Sequence, residues 1–144
     1  MISSMQVALV DAERIESDWP EIADRLWPAV RQDPAYSLSG LYLRFMSGSA
    51  LLFEVISGAS GLWVITVERE DGALVAWTTA IAGQIEGGPK RRLDAMRRAV
   101  AALEKTLKLA GVKAHRICGR DYSRLFPDYR PYAGARNGLE KELA

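Results

Sequence analysis

The chain has 144 residues, 49% hydrophobic and 26% charged, a composition that fits one folded domain over residues 1–144 and excludes intrinsic disorder. One cysteine, Cys118, and one histidine, His115, exclude an internal disulfide, a multi-cysteine zinc site and a His-pair metal site. The net charge of +1 hides an asymmetry: residues 1–72 carry 5 basic and 11 acidic side chains and residues 73–144 carry 14 and 7, which suggests a basic face for phosphate, nucleic acid or an acidic partner.

The start, MISSMQVALVDAERIE, has no basic leader and its apolar run ends at Asp11, so no signal peptide is expected. No run approaches the roughly 18 apolar residues of a membrane span. Gln6 to Val10 reads as a first strand. Asp18 before Trp19-Pro20-Glu21 is a helix start, with an N-cap, a proline in the first turn and an acid three residues on. Ile22, Leu26 and Val30 follow at helical spacing, and Pro28 is expected to bend or end that helix near Leu26 or Trp27. Ser37 or Ser39 opens a second short helix that stops at Gly48.

Three runs rich in β-branched and aromatic residues come next: Leu51–Ile56, Leu62–Glu68 and Ala73–Ala80. Gly-Ser-rich residues separate the first two and Glu70-Asp71-Gly72 the second two, so the centre reads as an antiparallel meander. Its continuous apolar character predicts cover on both faces. Gly87-Gly88-Pro89 opens the longest helix, on which Leu93, Met96, Val100, Leu103 and Leu107 form an apolar stripe and Arg97, Arg98 and Lys105 lie outside it. Gly111 ends it, and Ala114 to Cys118 is a short strand. Asp121 to Phe126 suits one or two helical turns, and Tyr129 to Leu143 a strand, a turn and a final strand or helical turn. The predicted class is mixed α/β: a central sheet with an antiparallel meander and a parallel crossover, flanked by helices.

That element order resembles the GNAT (acetyltransferase-like) fold over nearly the whole chain. In the second half, Gly87-Gly88, the long helix ending in Leu109-Ala110-Gly111, and Gly119-Arg120-Asp121-Tyr122-Ser123-Arg124-Leu125 with Tyr129 resemble GNAT-like virion or internal virion proteins of tailed bacteriophages. Tyr122 stands where that family usually has Trp, and Asp121 where it usually has Gly. The resemblance implies two readings. The leading one is a non-catalytic virion or assembly protein without cofactor, in a virion or host cytoplasm, oligomeric, meeting other virion proteins through Lys90, Arg91 and Arg92. The alternative is an N-acyltransferase that moves the acyl group of acetyl-CoA to an amine. Nucleic-acid binding through Lys90 to Arg98 is a weaker third reading, because no aromatics interleave the basic residues.

For the enzyme reading, the resemblance places the coenzyme pyrophosphate on Gln84, Gly87, Gly88 and Lys90, before and within the first turn of the long helix, where N–H groups and the helix dipole hold phosphate. Gln84 and Gly87 match the first two positions of the usual loop pattern, while Pro89 takes the third and removes a donor. Glu86 adds an opposing charge. The wedge between two splayed strands, where the pantetheine arm inserts in an acetyltransferase, is therefore expected to be closed by side chains or a partner segment. A carboxylate base would be Glu54 or Glu68, Glu54 being the unusual one among large apolar neighbours; the acid would be Tyr122 or Tyr129. His115 and Cys118, three apart on a strand, face opposite ways and form no dyad. Arg120 is expected to fix its turn through Asp121, Asp128 and carbonyl groups.

Overall fold

A computed structural model describes residues 6–56, 60–84 and 89–143. The chain runs β1 (Gln6–Val10), α1 (Ala12–Ser17), α2 (Trp19–Val30), α3 (Leu38–Ser47), β2 (Ala50–Ile56), β3 (Ser60–Glu70), β4 (Ala73–Gln84), α4 (Pro89–Leu109), β5 (Val112–Ile117), β6 (Arg130–Pro131) and β7 (Leu139–Glu142). These strands form one sheet in the order β1-β2-β3-β4-β5-β7-β6. Every neighbouring pair is antiparallel except β4–β5, which α4 connects as a parallel crossover. The mixed α/β class with a meander and a crossover is thus the observed architecture.

The helix boundaries follow the expected signals, although Asp18 precedes α2 without a side-chain capping hydrogen bond, and there are two further differences. Ser37 accepts a hydrogen bond from Gly40 N at 3.0 Å, and Gly48 takes φ 81° to close α3. Pro28, however, lies inside α2 and does not end it. It sits in the last turn, and the buried Leu26 and Val30 on either side anchor the helix to the sheet, so packing outweighs the missing N–H. The second difference is α1, which Asp11 caps by accepting from Arg14 N at 2.9 Å. The Asp71-Gly72 turn has φ 52° and 82°, the mirror-type hairpin geometry that this dipeptide favours. Asp121 to Phe126 forms turns and no helix, and Leu139–Glu142 is a strand.

Each sheet face buries its own apolar cluster. One holds Trp63, Ile65, Ile117 and Phe126 under Val100, Leu103 and Leu107 of α4; the other holds Leu52, Leu62 and Val64 under Ile22 and Leu26 of α2 and Leu41 and Phe45 of α3. On α4, Leu93 and Met96 are half-buried, and the small Ala95 and Ala99 complete the buried stripe. Arg97, Arg98 and Lys105 face solvent, as their positions off the stripe predict.

A polar chain crosses the α4-side core. Trp63 Nε1 donates to Thr78 Oγ1 at 3.0 Å, Thr78 Oγ1 is hydrogen-bonded to His115 Nε2 at 2.6 Å, and His115 Nδ1 to the Tyr129 hydroxyl at 2.6 Å. His115 is fully buried, and that burial pushes its pKa down to about 3, so it stays neutral. A folded-state pKa below the unfolded value means that the unfolded chain gains a proton first as pH falls. His115 is therefore expected to withdraw about 1.4 kcal/mol of stability per pH unit between about 6.5 and 3. Urea unfolding of wild type and His115→Gln at several pH values checks this: the variant loses that part of the acid slope, and identical slopes refute it.

Candidate functional site

The parallel pair β4–β5 ends at Thr78↔Ile117, but β4 continues to Gln84. Along Thr79 to Gln84, the backbone groups that point away from β3 have no strand beside them among the described residues. The splay has a local cause. Gly119 adopts φ 100°, a region that favours glycine; its N–H donates to Arg136 O and its carbonyl accepts from Asn137 Nδ2, both at 2.9 Å. These bonds draw the chain after β5 towards the turn before β7 and away from β4. A register shift between Val64 and Ile65 of β3 leaves Thr79 as an extra residue and marks a bulge in β4, at the point where the strands part. Gly119→Ala would force a side chain into that conformation and is expected to cost roughly 1–2 kcal/mol in thermal or urea unfolding; an unchanged stability would show that the turn has no such constraint.

Between the separated strands lies an open cleft of about 940 Å³. Thr79 to Gly83 form one wall, Cys118 to Arg120 and Tyr122 the other, and Asp24, Arg25, Gln32 and Asp33 of α2 and its exit cover one side. Arg120 reaches across it and donates to Gln32 Oε1. Tyr122 packs edge-on against Phe126, with ring centroids 6.0 Å apart. Burial pushes its pKa up, with Arg120 opposing, so it keeps its proton at neutral pH. Cys118 is half-buried, and burial raises its pKa too, so it is a thiol.

The structure separates the residues singled out from sequence. Tyr122 lines the cleft. Tyr129 does not: its hydroxyl is turned into the core, onto His115. Glu54 lies on interior strand β2, between β1 and β3; its carboxylate accepts from Arg14 at 3.0 and 3.1 Å and sits 3.8 Å from Arg25, so its charge serves ion pairs beneath α1 and α2. Glu68 accepts from Trp77 Nε1 at 2.9 Å. The backbone of Gln84 ends β4, Lys90 is exposed in the first turn of α4, and Arg91 and Arg92 follow it on the helix. Gly87 and Gly88, like the side chains of Gln84, Arg91 and Arg92, lie outside the described residues. Arg120 meets Gln32 across the cleft, and not the neighbouring carboxylates that proximity in sequence suggested. The wedge expected to be closed is open, because β4 is longer than its β-prone run and Gly119 diverts β5's continuation. Asp24 and Asp33, the cleft's carboxylates, were missed: an acidic residue on a helix of ordinary amphipathic pattern carries no signal of what it faces.

Arg116 makes the other prominent charge cluster. It donates to Glu70 at 2.6 and 2.9 Å and to Glu140 at 2.6 Å, and lies 4.2 Å from the Tyr132 ring centroid. It clips β5 to the end of β3 and to β7. Among the described residues no helix is long and apolar enough to cross a membrane.

No model of a known protein family matches the sequence, and no curated protein does. Solved structures do match. An aminoglycoside 6'-acetyltransferase type Ii aligns with a TM-score of 0.65 at 12% identity, over 100% of this chain and 98% of that one. A probable acetyltransferase from Staphylococcus epidermidis ATCC 12228 aligns with a TM-score of 0.67 at 9% identity, over 97% and 99%. The aminoglycoside 6'-N-acetyltransferase from Enterococcus faecium aligns with a TM-score of 0.57 at 12% identity, over 100% and 98%. These neighbours are acetyltransferases, and they overturn the leading expectation of a non-catalytic bacteriophage virion or assembly protein. The chain has the GNAT acetyltransferase fold.

Proposed function

We propose that the protein is an N-acyltransferase that uses an acyl-coenzyme A, acetyl-CoA as the reference donor, to acylate a primary amine. The observation that carries this reading is the open cleft where β4 outruns β5, walled by an unpaired strand edge and holding both a carboxylate and a protonated tyrosine. A cleft of about 940 Å³ is within the range of small-molecule sites. The amide-bearing arm of coenzyme A fits its donor set, because the N–H and C=O groups of Thr79 to Gln84 that face away from β3, beyond the end of the β5 pairing, offer the pairing that a strand would. The coenzyme, when bound, supplies an acyl group on a sulfur leaving group.

The chain's own residues do the rest. Asp33, at the exit of α2, takes the proton of the incoming ammonium, directly or through water, so that the nitrogen can attack. One of its oxygens accepts from Ala35 N at 2.9 Å, which fixes the carboxylate. Tyr122 gives its proton to the departing sulfur. The N–C bond forms as the C–S bond breaks, and the second proton that the nitrogen loses returns to Tyr122 through water. Arg120 and Gln32 bridge the cleft and hold its two sides at a set separation. The test is release of free coenzyme A thiol from acetyl-CoA in the presence of a panel of primary amines. Amine-dependent release supports the proposal, and release that no amine stimulates contradicts it.

A further inference from the structure

The cleft adjoins a second cavity of about 460 Å³, with which it shares Asp33, Thr79, Cys118 and Gly119. This cavity has walls of its own: the rings of Tyr36 and Trp77, with Glu68 and Arg44. Trp77 Nε1 holds one Glu68 oxygen at 2.9 Å and leaves the other free of that contact. Arg44 places its guanidinium carbon 5.8 Å from the Tyr36 ring centroid, so a ring face already attends its charge. Asp33, Arg44 and Glu68 line this one cavity together with Tyr36.

Resting on the acyltransferase reading above, we propose that this cavity is the acceptor subsite and that it takes diamines. One amino group sits at Asp33, on the junction with the cleft, and the second binds Glu68 against the Trp77 and Tyr36 rings. The charge pattern selects this class. Of the two carboxylates, Asp33 belongs to both cavities, while Glu68 belongs to the second cavity alone. A monoamine satisfies only the first. An amino acid would bring a carboxylate towards a cavity in which two carboxylates face one guanidinium. Aromatic walls favour a cation on a methylene chain. In the transfer, the nitrogen at Asp33 bonds to the carbonyl carbon and the C–S bond breaks. One ammonium proton goes to Asp33, Tyr122 protonates the sulfur, the second proton that the nitrogen loses on becoming an amide returns to Tyr122 through water, and the other ammonium is unchanged.

The experiment compares 1,4-diaminobutane, butylamine and 4-aminobutanoate, by acetylation kinetics and by direct calorimetric titration, in wild type and Glu68→Gln. Glutamine keeps an oxygen for Trp77 and removes only the charge. Wild type is expected to favour the diamine over butylamine by about tenfold in kcat/KM, from one partly enclosed ion pair with ring contacts. Glu68→Gln is expected to bring that ratio near one through KM, with kcat and acetyl-CoA affinity held. Equal use of diamine and butylamine by wild type, an unchanged ratio in Glu68→Gln, or preference for 4-aminobutanoate overturns the subsite. If acetyl-CoA does not bind but titration still separates diamine from butylamine, the acyltransferase reading fails and the diamine site stands.

Discussion

Tyr122→Phe is expected to lower kcat for acyl transfer by about 10²-fold or more, the usual contribution of a positioned general acid. The substitution removes one oxygen and keeps the ring that packs on Phe126, so the fold and the acetyl-CoA affinity are expected to hold. Tyr122 suits the role because it lines the cleft and because burial keeps its hydroxyl protonated. Tyr129, deeper and bonded to His115, provides the contrast: its change to Phe breaks the core polar chain, and its effect is expected in unfolding rather than in kcat at saturating substrate. Steady-state kinetics with saturating donor reads both. A Tyr122→Phe enzyme that keeps more than half its kcat would remove Tyr122 from the reaction.

Leu103→Ala is expected to cost on the order of 2–5 kcal/mol of stability, through lost burial and the cavity it leaves. Leu103 has no exposed surface and belongs to the cluster that holds α4 to the sheet. That cluster also contains Ala99, Val100 and Leu107 from the same helix, so the helix has little freedom to close over the gap. Urea unfolding measures it, with Lys105→Ala, on the exposed face, expected to change stability by under about 0.5 kcal/mol. A Leu103→Ala cost below that would mean that α4 is not anchored by this stripe.

How far the sequence carried depended on whether a feature was local. Caps, turns and the stripe of α4 are set by residues a few positions apart, and Ser37, Gly48, Asp71-Gly72 and Pro89 all act where their chemistry places them. The far end of β4 was not legible. Ala82 and Gly83 have weak strand propensity, and pairing with Ser60 to Leu62 of β3 holds them extended; those residues make the cleft. Glu54 was conspicuous as a carboxylate among large apolar residues, and it does have charged partners. They are Arg14, 40 positions away, and Arg25, and they make it an ion-pairing group beneath the helices. Arg120 meets Gln32 from 88 positions away, and Asp33 meets Cys118 and Gly119 only because Gly119 turns the chain after β5 away from β4. Such juxtapositions belong to topology, which no spacing along the chain encodes. The loss of a donor at Pro89 and the opposing charge of Glu86 argued against a coenzyme site, but those local features say nothing of a strand edge left open beyond Thr78.

The most direct measurement is a calorimetric titration of the purified protein with acetyl-CoA. The open β4 edge and the cleft predict saturable binding with a dissociation constant around micromolar, about −8 kcal/mol. No heat of binding at millimolar acetyl-CoA would contradict the account.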